Sequence, residues 1–564
     1  MLKKLFGTIG ILCLLFSSTV ESQSLLLKAK GQAENETKIL DSISYKKLFN
    51  DYESLNNEIY SLKNKLEKIG FLESKLEAIQ KANDSTFLAL FNIGIKYKSI
   101  DLYYKGLIEK KVISNIASEV NDDFFRISFE KLEESLNYLN AALAEKGNPF
   151  LKIQIIDVLK NDDLTLKGTL VIINENEDQR TIDQIIVKGY DKFPRSYIKH
   201  YLKLKPKQLL NIKSINSKTS DLENLVFANQ IREPELLFTK DSTSLYIYIE
   251  KANSNTFDGF LGFGTNDQTG NIEFDGYLNL NLTNNLNYGE SLKLLYKSDE
   301  NKQRTFDIKV SMPYVFGSPL GTEFKLNIFR KDSTFITTSQ SAKLIYQFNS
   351  RNVLSAGINS ISSNNLLENS TALLQDYKSN FYLFNYAHQR NQKFDILFPT
   401  NFLFDLSFGT GKRTLENINT SQTSLYLDTF KIFHLNTRNN IYLRLNGGSL
   451  MSDNYLENEL MRFGGINSIR GFEENSLYAN LFSVLNSEYR YRVSNNLYIH
   501  SVIDLAYFEN QIIDVKDKLL GLGFGFGLLT QAGLFKLNYS SGNSENQEFT
   551  LSNSKIHISL SSTF

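Results

Sequence analysis

From about residue 255 to the C-terminus, apolar and polar positions alternate strictly. Ile272, Phe274, Gly276, Leu278, Leu280 and Leu282 interleave with Glu273, Asp275, Tyr277, Asn279 and Asn281. Phe306, Ile308, Val310 and Met312 interleave with Asp307, Lys309 and Ser311, and Ile441, Leu443 and Leu445 with Tyr442, Arg444 and Asn446. A period of two places the two sets on opposite faces of a strand. A soluble sandwich would turn the charged face to water. A membrane barrel would turn the apolar face to lipid and the charged face to its lumen. Alternation by itself leaves both open.

The first half follows a different pattern. Leu25 to Ala29 reads as a strand. Ser44 to Gly70 has helical spacing (Leu48, Tyr52, Leu55, Ile59, Leu62, Leu66), and Gly70 ends it. Phe87 to Ile95 is strand-like again. A second cycle runs through Ile100 to Tyr104, a helix over Phe129 to Lys146, and strands over Phe150 to Val158 and Leu164 to Ile173. A third runs through Ile182 to Val187, helical stretches over Pro194 to Leu204 and Lys213 to Ala228, then Pro234 to Phe238 and Ser244 to Glu250. Each cycle is a strand, two helices and two strands over roughly 75 residues, a tandem repeat of one supersecondary plan.

Three features favour the barrel. Many alternating segments reach about 10 residues, the length a tilted membrane strand needs. Roughly sixteen such runs follow Thr256, an even number. The last strand puts Ile556, Ile558, Leu560, Ser562 and the terminal Phe564 on one face; that ending resembles the signal by which outer-membrane proteins are recognised for insertion. Composition agrees: 29 Tyr, 41 Phe and no Trp supply β-formers and interface aromatics.

Residues 1–22 read as a secretory signal. Lys3 and Lys4 precede an apolar run from Leu5 to Phe16 that is too short to span a bilayer, and Val20 and Ser22 suit cleavage before Gln23. The single cysteine, Cys13, lies within that segment behind Leu12, where a lipidation site wants a small residue. The mature chain is therefore expected to hold no disulfide and no cysteine-ligated metal. No later stretch reaches about 18 uninterrupted apolar residues, so a closed barrel is the remaining way to be integral to a membrane. Lys+Arg and Asp+Glu are both 62, which gives no basic footprint for nucleic acid.

The densest motif is Arg462-Phe463-Gly464-Gly465-Ile466-Asn467-Ser468-Ile469-Arg470-Gly471-Phe472, between two alternating strands. It reads as a loop with glycines for tight turns. Enclosed beside Ile469, Arg470 would want a carboxylate. The following strands offer two. If Leu481, Leu485, Tyr489, Tyr491 and Val493 face lipid, then Glu488, Arg490 and Arg492 face inward. If Leu497, Ile499, Ile503, Leu505 and Tyr507 face lipid, then His500 and Asp504 face inward, where a carboxylate is tolerable. Gly521, Gly523, Gly525 and Gly527 share one face, and with Leu522, Phe524 and Phe526 outward they form a side-chain-free lumen strip that leaves room for a packed loop.

These residues resemble the outer-membrane assembly superfamily that includes BamA and TamA, also known as the bacterial surface antigen family. Its hallmark is a Gly-rich run ending in Val/Ile-Arg-Gly-Phe/Tyr, matched by Ile469-Arg470-Gly471-Phe472. The resemblance implies that the loop folds back into the barrel, that Arg470 pairs with Asp504, and that Glu488 is an inward acidic position. It extends to the first half, whose β-α-α-β-β units look like POTRA domains, Thr181 to Lys251 most clearly. The implied layout is a signal peptide (1–22), POTRA-like units over 23–100, 101–178 and 179–252, and a roughly 16-stranded antiparallel transmembrane β-barrel over 253–564, closest to the TamA arrangement. The chain departs from five-unit BamA in its fewer repeats. It also lacks a patatin-like hydrolase before the POTRA region and an evident lumen-plug helix. Arg232-Glu233-Pro234-Glu235 receives no role.

The implied function is outer-membrane protein assembly, insertion or translocation. Unfolded client chains would be caught on POTRA edges by β-augmentation and passed to a seam between the first strand (Thr256 to Asn266) and the last (Ser554 to Phe564). The implied partners are outer-membrane lipid, unfolded outer-membrane or secreted clients, and a periplasmic or inner-membrane protein, with no cofactor. The alternative is a passive channel or structural barrel whose periplasmic units bind a partner. Catalysis is not expected. His200, His388, His434, His500 and His557 are scattered, and His500 and Asp504 lie four strand residues, about 13 Å, apart. Gly409-Thr410-Gly411-Lys412 lacks the Ser/Thr of a phosphate-binding loop, because Arg413 stands there.

Overall fold

The computed structural model describes residues 24–162, 164–173, 179–265, 272–298, 303–367, 371–392, 394–545 and 554–563. Residues 1–22, read above as a secretory signal and including Cys13, and the terminal Phe564 lie outside them. The chain divides into two compact units, one ending at Arg180 and including Leu209–Ile212, the other comprising Thr181–Gln208 and Lys213 onward.

The first unit holds two mixed sheets. In the first, Leu25–Gly31 pairs in parallel with Thr86–Asn92, which pairs antiparallel with Lys75–Lys81. The helix Tyr52–Lys68 buries Leu55, Ile59, Leu62 and Leu66 against that sheet. It begins later than its spacing predicts. Asp51 caps it by accepting from the Ser54 amide, and Leu48–Phe49 is drawn into the sheet edge beside Leu25 and Leu26. In the second sheet Ser99–Tyr103 lies parallel to Thr165–Ile173. An extra hairpin, Glu119–Val120 with Phe124–Ser128, widens it to five strands. Asp101, buried in that sheet, is held by the Arg126 guanidinium at 2.6 and 2.9 Å.

The second unit opens with a three-stranded sheet in which Gln184–Lys188 and Ala228–Phe238 flank Thr243–Lys251. Here Arg232-Glu233-Pro234-Glu235 finds its place. Ala228–Phe238 is an edge strand, where proline is tolerated, and its register shifts between Gln230 and Glu235. At the shift Arg232 lies over the Tyr248 ring at 3.8 Å and pairs with Glu235 at 3.0 Å. The stretch predicted as a helix over Pro194 to Leu204 narrows to a π-helical turn, Tyr197–Tyr201. Tyr190, Phe193, Tyr197 and Phe227 pack edge to face around it. Burial pushes the Tyr197 and Tyr201 phenols up, so both stay neutral.

The same small sheet rests on the turns of the barrel that follows. Tyr190 accepts from Asn284 Nδ2 at 2.8 Å, His200 Nε2 meets the Gly317 carbonyl at 2.8 Å, and Ser350 Oγ donates to Asp221 at 2.7 Å.

The barrel itself closes in sequence order. Its sixteen strands are β1 (Thr256–Thr265), β2 (Ile272–Thr283), β3 (Ser291–Ser298), β4 (Gln303–Met312), β5 (Leu320–Lys331), β6 (Phe335–Gln347), β7 (Asn352–Asn365) and β8 (Tyr377–Asn391). They continue as β9 (Thr400–Leu415), β10 (Ile418–His434), β11 (Asn439–Met451), β12 (Leu481–Arg492), β13 (Leu497–Asn510), β14 (Val515–Thr530), β15 (Gly533–Ser544) and β16 (Ser554–Thr563).

The structure decides which face the charges take. On β4 to β6, Lys309 pairs with Glu323 at 2.6 Å and Lys325 with Asp307 at 2.9 Å, inside the barrel. The alternate positions Phe324, Leu344, Ile358 and Phe384 stand open on the outside, each more than half exposed. An apolar exterior around a charged interior is the inverse of a water-soluble protein and suits lipid. Among the described residues no helix is long and apolar enough to cross a membrane.

The barrel ladder is uneven. β13 and β14 pair along their whole length, from Leu497↔Leu528 to Asn510↔Val515. β1 and β16 share three pairs, Thr256↔Thr563, Phe257↔Ser562 and Asp258↔Ser561. Pairing stops at Gly259, whose φ of 143° is one that residues with a Cβ rarely adopt.

Candidate functional site

The connection from β11 to β12 turns into the lumen. Its core is a short hairpin, Met461–Phe463 with Leu477–Ala479, and its tip carries Gly464 to Ser476. Ile469 is fully buried with Phe463, Phe482, Val484 and Phe508, and the Phe463 and Phe482 rings stack at 4.8 Å. This apolar contact sets the tip against the wall formed by β12 to β14.

Arg470 follows Ile469 and is 5% exposed. Its amide and Nε donate to Asp504 Oδ2 at 3.0 and 2.8 Å, and Nη2 donates to Asp504 Oδ1 at 2.6 Å. Nη1 donates to Glu488, whose other oxygen accepts from Arg490 Nε at 2.7 Å. Asp504 is fully buried. A bidentate guanidinium–carboxylate pair with a third bond from the same residue's amide fixes position and direction together. His500, on the same face, does not join this pair; its Nε2 meets Asn538 at 2.7 Å. Two further bonds hold the tip by its backbone: Asn486 Nδ2 to the Ser468 carbonyl at 2.7 Å, and Arg444 Nη1 to the Asn467 carbonyl at 2.8 Å.

The glycines divide into groups. Gly471 has φ 91°, and a Cβ there would sit 2.4 Å from the Gly542 amide nitrogen. Of the inward glycines on β14, Gly521 abuts the loop, since a Cβ on it would lie 2.3 Å from the Arg470 carbonyl oxygen. Gly525 and Gly527 instead make room for His500 and Tyr498, and Gly523 lies against the β15 backbone. The loop-facing strip is thus Gly521 on β14 with Gly542 on β15, against which the Phe472 ring packs. Gly464 turns the chain against the Glu473 carbonyl, and the Glu474 side chain closes over Gly465. Glu474 also pairs with Lys297 on β3 at 3.1 Å, and Glu473 with Lys555 on β16 at 2.9 Å. Ile558 and Leu560 on β16 face outward, 63% and 42% exposed.

A second anchor, at the base of the loop, is not visible in the sequence. Arg413, which there only breaks a phosphate-binding pattern, projects from β9 into the lumen and is 1% exposed. It pairs with Glu459, which accepts from Gln422 at 3.0 Å. Asn458 beside it donates to Ser363 Oγ at 2.8 Å and to the Gln375 carbonyl at 2.9 Å. Arg462 lies between the rings of Phe329, Phe335 and Tyr478, with 5.0 to 5.3 Å to their centroids. The one sequence signal is inward alternation on β9 (Asp405, Ser407, Gly409, Gly411, Arg413). It marks a lumen charge but names no partner. Among the described residues no cluster of side chains could hold a metal ion.

No protein-family model matches the sequence, and no curated protein matches it. Solved structures do match by fold. CdiB from Escherichia coli superposes with a TM-score of 0.54 at 12% identity, covering 91% of this chain and 97% of that one. CdiB from Acinetobacter baumannii gives 0.52 at 14%, with the same coverage. BamA from Haemophilus ducreyi lacking POTRA domains 1–3 gives 0.49 at 14%, covering 77% of this chain and 93% of that one. Mixed α/β units ahead of a closed sixteen-stranded barrel give this chain the same overall fold as the two CdiB structures.

Proposed function

We propose that this protein is a non-enzymatic, cofactor-free outer-membrane assembly or translocation factor of the BamA/TamA kind, with its POTRA-like units in the periplasm of a Gram-negative cell. The observation that carries this reading is the seam. β1 and β16 share three residue pairs while every neighbouring ladder is far longer. Among the described residues no pair joins the two strands beyond Asp258 and Ser561, which leaves the seam as a template for an added strand. Ser559, Ser561 and Ser562 are small and add little side-chain packing to hold the seam shut. Incoming clients would reach it from the edges of the mixed sheets, captured by the same backbone pairing. The pinned loop weighs against a simple open pore, because it crosses the lumen and binds walls on several sides.

The test is depletion followed by quantitative proteomics of the outer membrane, with rescue by the parent chain or by Arg470→Ala. The expected result is loss of a set of other barrels or surface proteins, rescued by the parent and not by Arg470→Ala at equal abundance. An outer membrane unchanged except for this protein would sink the reading.

A further inference from the structure

A second inward segment lies at the barrel end where the chain enters. Antiparallel neighbours need only two to five connecting residues, yet between β8 and β9 the segment Phe394–Pro399 turns into the lumen. Leu397 and Phe398 are buried with Ile432 of β10 and Tyr498 of β13. Tyr498 shares the inward face of β13 with His500 and Asp504, so this cluster is inside the barrel. The Phe398 and Tyr498 rings meet edge to face at 4.9 Å. Asp395 pairs with Arg492 of β12. The segment is also braced within itself: Gln392 Nε2 donates to the Phe398 carbonyl at 2.7 Å, and the Phe398 amide to Asp395 Oδ1 at 3.1 Å. Phe394 and Ile396 remain 91% and 67% exposed, so only half of its apolar surface is committed to the closed position.

β12 touches both inward segments. Its lumen face carries Glu488, Arg490 and Arg492 in succession, about 13 Å from first to last. Glu488 accepts from Arg470 of the long loop. Arg490 donates to Glu488 and lies over the Phe398 ring at 4.7 Å and the Tyr442 ring at 4.0 Å. Arg492 holds Asp395. A charge held on one side by a carboxylate and on the other by ring faces moves at a cost to both.

We propose that Phe394–Pro399 is a second closure of the lumen, at the periplasmic end, coupled to the Arg470 loop through the Glu488–Arg490–Arg492 row. The lumen is then shut at two levels in series, and passage requires both to be released.

The test is conductance of the full-length protein in planar bilayers, which reads the lumen and is independent of client handling. Arg470→Ala alone, and Asp395→Ala with Phe398→Ala, are each expected to stay within about twofold of the parent. Combining all three should raise conductance about tenfold, the shift that ~1.4 kcal/mol of lost closure produces. Arg490→Ala, which cuts the shared link, should exceed either partial set. Phe394→Ala, at an exposed position, should match the parent, and heat-modifiable gel migration confirms a folded barrel for each variant. Arg470→Ala conducting as well as the combined variant would overturn the second closure. Arg490→Ala matching the parent would overturn the coupling. Asp395→Asn, which keeps the side-chain shape, should reproduce part of the effect when combined with Arg470→Ala.

Discussion

Two regions of one barrel are held by different means. The wall from β12 to β15 pairs along its length, with one break at Glu488 and Tyr489, and bears the pinned loop through a buried pair, an apolar cluster and two glycine contacts. The seam between β16 and β1 has three backbone pairs, a glycine that ends them, and a 3.4 Å hydrogen bond from Ser561 Oγ to Asp258. A ladder of backbone bonds is cooperative, so a full-length ladder opens as a whole or not at all. Three pairs at one end can separate without disturbing the rest. Rigidity is concentrated on the wall and yielding at the seam.

The largest expected effect comes from abolishing that difference. Cysteines at Asp258 and Ser561, with Cys13 replaced by serine so that no other cysteine competes, would join the seam covalently. Outer-membrane assembly should stop under oxidation and recover with reductant; full activity of the cross-linked protein would rule out an opening seam. Next come the two loop anchors. Arg470→Ala leaves Asp504 and Glu488 on the wall without a cation from the loop, and Arg413→Ala leaves Glu459 on the loop without its cation from β9. Losing one partner of a buried pair costs about 3–5 kcal/mol. Each should make the loop between Met461 and Ala479 sensitive to added protease on intact cells. Arg470→Lys should not restore protection, because an ammonium cannot supply the forked contact to Asp504.

A smaller effect is expected at the wall itself. Gly521→Ala drives a methyl into the Arg470 carbonyl, an overpacking worth about 1–3 kcal/mol. Gly447→Ala, at an outward position on β11 where an added Cβ would meet its nearest neighbour at a looser 2.9 Å, should lower thermal stability by less. The smallest is Lys555→Ala. The Lys555–Glu473 pair is about half exposed, and such pairs contribute about 0–1 kcal/mol. A large loss of loop protection in that variant would mean that the loop holds the last strand more firmly than its exposure indicates.

Much of the architecture is readable from order along the chain. Strand alternation depends on neighbours two apart, so runs such as Phe306 to Met312 and Ile441 to Asn446 are legible without any partner. The Gly-rich loop is conspicuous because glycine and arginine rarely occur together there without a turn and a counter-charge. Local competition blurs the rest. Asp51 shortens a helix that spacing alone would begin earlier, and an edge position lets a strand run through Pro234.

What the sequence determined by itself is periodic: roughly sixteen alternating strands, mixed units before them, and a motif able to turn inward. What only the tertiary structure decided is relational. It settled which face turns outward, which of four similar glycines touches the loop, that Arg413 reaches Glu459, and that Phe398 crosses to Tyr498. It also settled that the first and last strands meet over three pairs. Those facts join residues tens to hundreds of positions apart. The free energy of a buried pair or a close packing contact depends on distance in space, and no local pattern in the chain encodes it.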